Sequence, residues 1–312
     1  MKRLLIALLL TAGLTSLKAQ DPMFTMGYSS SMHLNPALTG YQKGYKVNVN
    51  YRNQWPDISG TFVTSAVGIQ KKIDVINAGI GLLISSDQAG EGTLSTFNIG
   101  LNLSKSFNLS DQLGISIGSS FNYQQKSVDW SKLTFGDMID AKYGFTDTTS
   151  VGNVNTTVNY FNFTSGVLFT YPSGNIGVVT SNINQPNQSF TEGGVSRLPM
   201  RLTLHATHDF NIIPGNILVI SPSVIINTQK DFHSLTSGIT TRYKWFKVYT
   251  GYSASNAVIA GAGLCFNYFT LNYIYESTVS KLTNATGGAH ELSMSLRFGK
   301  NKDLEKRNIN AF

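Results

Sequence analysis

The chain has 312 residues and a formal charge of +7, yet only 13% of its residues are charged and 41% are hydrophobic. Soluble proteins are typically about one-quarter charged, so this composition argues against an exterior solvated on every side. The basic residues are scattered, apart from Lys300, Lys302, Lys306 and Arg307 near the end, and give no patch for nucleic acid; the lone Cys265 excludes an internal disulfide framework and a thiolate metal site.

Residues 1–19 read as a secretory signal, with Lys2 and Arg3 before the apolar stretch Leu4 to Leu14 and Ala19 at the cleavage point. Beyond Gln20 no apolar run approaches the roughly 18 residues that a membrane-spanning helix needs. Residues 20–44 form a lead-in. Within it, Pro36 disfavours helix at Asn35, and Gly40 allows backbone angles closed to other residues, so this stretch is expected to be a shaped turn. Two readings of the lead-in stay open: a lumen plug or periplasmic docking segment using Phe24, Met26, Tyr28 and Met32, or a cover for the rim.

About fourteen strand-like stretches follow, at 45–53, 61–71, 77–86, 93–105, 112–125, 156–170, 175–182, 197–210, 216–228, 233–242, 246–253, 256–266, 268–276 and 288–298. From Lys46 to Arg52 apolar and polar residues alternate, which presents one face to lipid and the other to a wet lumen. The pattern returns where Leu198, Met200, Leu202, Leu204, Ala206 and Phe210 oppose Arg201, Thr203, His205, Thr207 and Asp209. It returns again where Leu292, Met294, Leu296 and Phe298 oppose Glu291, Ser293, Ser295 and Arg297.

The long connections, 54–60, 87–92, 126–154, 183–196 and 277–287, all follow odd-numbered stretches, while 171–175, 212–215 and 243–246 are short. That parity predicts an all-β, transmembrane antiparallel β-barrel with tight periplasmic turns, longer external loops and both termini periplasmic. Closure is required because the bilayer core offers no water to an unpaired backbone edge. A soluble β-sandwich also alternates, but it would carry more charge on its outer faces. Tyr51, Trp55, Phe121, Tyr123, Tyr160, Phe169, Tyr171, Phe210, Tyr268 and Tyr275 fall near strand ends, where aromatic girdles form.

Little in the chain points to chemistry. His205 and His208 face opposite ways on a strand, so they cannot share a metal, whereas His205 and Asp209 share a face and read as a lumen ion pair. Gly79 and Gly81, like Gly261 and Gly263, are expected to relieve crowding where the wall curves. Asp57, Asp87 and Glu91 lack the ligand density of a calcium loop. No catalytic residue, cofactor or metal is expected.

Four local patterns carry a resemblance. They are Asp21-Pro22-Met23-Phe24 leading to Asn35-Pro36-Ala37-Leu38-Thr39-Gly40; Tyr51-Arg52-Asn53-Gln54-Trp55; Ser86-Asp87-Gln88-Ala89-Gly90; and Gly287-Gly288-Ala289-His290-Glu291 running into Leu292 to Phe298. Together they resemble the PorP/SprF family of outer-membrane proteins of the Bacteroidetes type IX secretion and gliding apparatus, with Ala289 where Ser is common. The resemblance implies a non-enzymatic barrel in outer-membrane lipid that supports secretion or surface anchoring of cargo such as adhesins and works with periplasmic type IX components. Capture of the cargo's C-terminal domain is the specific expectation; a passive channel or small hydrophobic-solute transporter is the alternative. The expected organisation is a signal peptide at 1–19, a lead-in or plug at 20–44, a barrel at 45–298 and a basic periplasmic tail at 299–312.

Arg52 and Glu291 lie near the outer ends of the first and last strands with inward parity. Two readings stay open: an ion pair across the closing seam, direct or through Gln54 or a water, in which exchanging the two charges restores assembly, or two independent lumen charges, each with a different partner. Lys46 and Arg297 fall at the other end of that seam with like charge, which calls for a staggered register or a separate acidic partner.

Overall fold

The computed structural model describes residues 23–140, 142, 144–146, 155–254, 257–279 and 286–299. The expected signal peptide, Asp21 and Pro22 of the first local pattern, and the tail from Lys300 lie outside the described residues. The strands are β1 Tyr45–Gln54, β2 Phe62–Ile73, β3 Ala78–Ala89, β4 Leu94–Asn108, β5 Gly114–Val128, β6 Thr157–Tyr171 and β7 Gly174–Ser181. After them come β8 Arg201–His208 with its continuation Phe210–Ile213, β9 Leu218–Gln229, β10 Phe232–Tyr243, β11 Phe246–Ser253, β12 Ala257–Cys265, β13 Phe269–Thr278 and β14 Ala289–Phe298.

Each strand pairs antiparallel with its neighbours in sequence, and β1 pairs with β14 from Tyr45 opposite Phe298 to Gln54 opposite Ala289. The result is a closed barrel of 14 strands. Closure leaves no row of unpaired amides facing lipid, which is what the bilayer demands. Ile69, Leu82, Ile99, Leu101, Val178 and Leu204 point outward and are exposed, while Asn48, Asn50, Asn98, Asn102 and Asn227 on the other face are buried.

Three expectations are corrected. The strand expected at 197–210 begins only at Arg201 and breaks at Asp209, and Leu198 is buried in the preceding loop, where its amide donates to the Pro186 carbonyl at 3.0 Å. Strand β3 runs further than its apolar residues, so the connection expected at 87–92 shrinks to 90–93 and Asp87 sits in the ladder opposite Thr64 and Thr96. Backbone pairing continues through polar side chains because they reach the headgroup level, where water is available. Finally, the inner wall is not uniformly polar. Leu168, Ile225, Ile259 and Ile274 are buried, and they need an apolar partner inside.

Candidate functional site

That partner is the chain's own N-terminal segment. Met26, Tyr28, Leu34, Ala37 and Leu38 pack with Leu168, Ile225, Tyr249, Ile259 and Ile274, and Phe24 and Met32 pack with Ala66 and Leu83. The segment is built of short helical turns, Gly27–Ser30, Ser31–Leu34 and Pro36–Leu38. Such a chain leaves many backbone groups without regular partners, and buried groups must be paired. Polar side chains of the wall serve them: Asn48 Nδ2 donates to the Ser29 carbonyl at 2.9 Å, Ser104 Oγ to the Thr39 carbonyl at 2.6 Å, and Gln70 Oε1 accepts from the Gly40 amide at 2.8 Å.

The wall makes room by omitting side chains. A Cβ at Gly79 would run into the Thr39 carbonyl, at Gly118 into the Pro36–Ala37 backbone, at Gly166 into Asn35 Oδ1, and at Gly81 into the Met32 sulfur. Gly79 and Gly81 therefore accommodate the lumen segment, which corrects the expectation that they relieve wall curvature. Gly261 and Gly263 lie against Tyr273, Ile274, Leu271 and Asn272 of the adjacent strand, where crowding within the wall is the reason.

Asn35, Pro36 and Gly40 form the deepest part of the segment. Asn35 is fully buried; its Oδ1 accepts from the Ala37 amide at 2.8 Å, capping the turn that Pro36 opens. Its Nδ2 lies 3.0 Å from His205 Nε2, and Tyr28 Oη lies 3.0 Å from His205 Nδ1. An amide nitrogen only donates, so Nε2 accepts, and a neutral imidazole then carries its proton on Nδ1 and donates to Tyr28. His205 thus holds the lumen segment with both nitrogens. The expected His205–Asp209 pair is corrected: Asp209 Oδ1 accepts from Ser221 Oγ at 2.6 Å instead. Gly40, with φ +63°, turns the chain where a Cβ would strike Gly79.

At the end nearer the long connections the segment is latched to the seam. The Thr25 amide donates to Glu291 Oε2 at 2.6 Å and the Met26 amide to Oε1 at 3.3 Å, while Thr25 Oγ1 donates to Glu276 Oε2 at 2.9 Å. Arg52, directly opposite Glu291 in the β1–β14 register, places Nη1 3.5 Å from Glu291 and Nη2 3.0 Å from Glu276, with a further donation to Gln54 Oε1 at 3.3 Å. Sequence reasoning missed Glu276 and Thr25. Inward parity on β13 pointed to Glu276, whereas nothing in the sequence marked Thr25. The first described residues thus lie at the long-connection end, while β14 finishes at the short-turn end; both chain ends, expected on the short-turn side, lie outside the described residues.

The other singled-out residues scatter. Tyr51 and Phe298 face outward and are exposed. Trp55 adopts φ +60°, donates its amide to the Gly288 carbonyl at 2.7 Å and stacks edge-on to Phe62, so Trp55 and Gly288 clasp two neighbouring connections. His290 faces away from the lumen, with Nδ1 2.7 Å from Tyr273 Oη. Asp87 accepts from Thr64 Oγ1 at 2.6 Å, and Gly90 turns the following connection at φ +66°. The structure gathers Asn35, Pro36, Gly40, Arg52, Gln54 and Glu291 around the lumen segment and leaves the rest at the rims or on the outer face.

The pattern that defines the PorP/SprF type IX secretion system membrane proteins matches residues 16–296, nearly the whole chain. The chain belongs to the PorP/SprF family. No curated protein matches it by sequence. Among solved structures it is similar to the toluene transporter TbuX of Ralstonia pickettii, at 12% identity and a TM-score of 0.48, covering 90% of this chain and 96% of that one. It is also similar to a FadL homologue of Pseudomonas aeruginosa, at 12% identity and a TM-score of 0.48, covering 91% and 96%. By its family this PorP/SprF member is a membrane protein of a secretion system, and it folds as a closed barrel whose lumen holds its own residues 24–40.

Proposed function

We propose that the protein is a non-enzymatic outer-membrane component of the type IX secretion and gliding apparatus. In this reading its long connections hold an exported cargo protein, such as an adhesin, through the cargo's C-terminal domain. The short turns and the tail after Phe298 face periplasmic components of the machine. One observation carries the reading beyond family membership: the lumen is filled, so the long connections are the surface left for a protein client.

The two longest connections support this by packing on each other. The Asn155 amide donates to the Phe190 carbonyl at 2.9 Å, Lys126 Nζ at the end of β5 donates to Gln188 Oε1 at 2.8 Å, and Trp130 meets Phe135 of its own connection and Phe190 of the other at ring-centre distances of 6.0 and 6.4 Å. An aromatic cluster shared by two connections gives a fixed platform and not two independent loops. Crosslinking in cells, detergent extraction and mass spectrometry of the captured barrel should recover a large secreted protein, and Trp130→Ala with Phe190→Ala should reduce that recovery. Recovery of the barrel alone defeats the reading. A robust open conductance of the intact wild-type barrel would instead assign a passive channel or hydrophobic-solute transporter.

A further inference from the structure

At the short-turn end of the seam Lys46 stands directly opposite Arg297, so no stagger separates those two charges, and both have inward parity. The lipid side of the same rim carries a different set of cations. Lys71 Nζ lies 4.7 Å from the ring centre of Tyr45, Lys105 Nζ 6.0 Å from that of Phe107 and Lys244 Nζ 5.4 Å from that of Tyr243, and all three rings are exposed on the outer face. Ammonium groups folded over exposed rings mark the level at which hydrocarbon gives way to headgroups. Strand length places the turn at 244–245 there too. Strand β11 has 8 residues and β12 has 9, whereas a tilted strand needs about 9–11 to cross the hydrocarbon core, so the turns that follow them cannot stand clear of the bilayer.

Between the turns at 244–245 and 266–268 opens a recess of about 540 Å³, lined by Arg242, Lys244, Trp245, Phe266, Tyr268 and Phe269. Trp245, Phe266 and Tyr268 are exposed, and Trp245 and Phe266 stack at 6.3 Å with planes 7° apart. Arg242 donates through Nη1 to the Lys244 carbonyl at 3.3 Å, while its buried Nε and Nη2 have no hydrogen-bond acceptor. Among the described residues no ion pair joins Arg242 to a carboxylate, and Asp209, within electrostatic reach, gives its Oδ1 to Ser221.

We propose that this recess binds the phosphate of an anionic glycerophospholipid from the leaflet on the short-turn side. The two free phosphate oxygens take the Nε–Nη2 edge of Arg242 as a fork, a charge-assisted contact stronger than a single bond to a neutral carbonyl. Turning that edge into the recess releases only the bond to Lys244. Lys244 Nζ, a flexible point charge, closes on the same phosphate, and the glycerol and first acyl carbons lie on Trp245, Phe266 and Phe269. Four aromatic rings in the lining favour a lipid over a free anion, which would gain nothing from them. The inference rests on the barrel crossing a bilayer and is independent of the cargo reading, which concerns the opposite rim.

The full chain in detergent, mixed with equal amounts of phosphatidylglycerol and phosphatidylcholine, should keep one phosphatidylglycerol in native mass spectrometry, because a choline ammonium opposes Arg242 and Lys244. Arg242→Gln should lower the retained fraction at least about tenfold, as expected for lost hydrogen bonds to a charged group. Lys105→Gln, in the same belt but outside the recess, should leave it unchanged, and inorganic phosphate should not displace the lipid. A second readout locates the lipid: with Trp55→Phe and Trp130→Phe, Trp245 is the sole tryptophan, and brominated phosphatidylglycerol should quench it more than brominated phosphatidylcholine in matched vesicles. Equal retention of the two lipids, an equal loss in Lys105→Gln and Arg242→Gln, or displacement by inorganic phosphate overturns the proposal. Should Arg242→Gln fail to fold, the lipid competition on the wild type and the quenching at Trp245 decide.

Discussion

Glu291, itself buried, binds the Thr25 and Met26 amides and lies beside the Arg52 guanidinium. Replacing it by alanine strands the two amide donors while Arg52 keeps Glu276 at 3.0 Å, so the cost is about 1–3 kcal/mol for each donor left unpaired. Glu291→Ala is therefore expected to melt well below wild type in detergent, and Glu291→Gln, whose single amide oxygen replaces one of the two acceptors, less so. Equal melting of alanine variant and wild type would show that the latch bears no strain. The structure also changes the outcome expected of a charge exchange: with Arg52→Glu and Glu291→Arg combined, an arginine at 291 cannot accept from Thr25 and Met26. The exchange restores the pair but not the latch, and rescue should be partial in melting temperature and absent in protection of residues 24–40 from protease.

At the scale of elements, the lumen segment and β2 to β7 fit by the absence of side chains. Gly118→Ala drives a methyl group into the Pro36–Ala37 backbone, which cannot move aside without breaking the Asn35 cap. Overpacking of this kind costs about 1–3 kcal/mol or more. At Gly68 the obstacle is the flexible end of Met32, and at Gly136 nothing lies within 4 Å, so proteolysis of the segment should rise in the order Gly136→Ala, Gly68→Ala, Gly118→Ala. A reversed order would mean that the segment does not pack on this wall. The outer face obeys a different rule. Leu101 is exposed to lipid near the middle of β4, so Leu101→Lys should cost about 2–4 kcal/mol in unfolding from a bilayer. Val75→Lys, in a turn outside the strands, should be near neutral by the same measurement.

The same two faces explain what was legible in the sequence. Alternation on β1, β4 and β14 is strict, because lipid on one side and polar contacts on the other enforce a two-residue period. It lapses at Val224-Ile225-Ile226, Val258-Ile259-Ala260 and Tyr273-Ile274-Tyr275, whose central residues point inward and are buried against the lumen segment. Those lapses were the readable trace of a filled lumen. Arg52 and Glu291 were readable as a pair because parity and strand order fix a closing seam. Thr25, joined to Glu291 across 266 positions through a backbone amide, left no side-chain signature.

For the molecule as a whole, the question is whether the wall depends on what it contains. Every ladder of the barrel is formed between wall strands, and the seam from Tyr45–Phe298 to Gln54–Ala289 includes no residue of the lumen segment. Deleting residues 23–40 therefore removes no wall hydrogen bond. Asn48, Asn50, Gln70 and Ser104 would lose partners that water can replace. Leu168, Ile225, Ile259 and Ile274 would instead meet water, at roughly 1.5–3 kcal/mol for each side chain. The deleted barrel should still insert, melt at lower temperature, and show stepwise ion conductance in planar bilayers where the wild type shows little. If it inserts and stays silent, residues 24–40 are not the obstruction; if it fails to close at all, the segment is a template for the wall, and its glycine-lined bed is then a folding device before it is a seal.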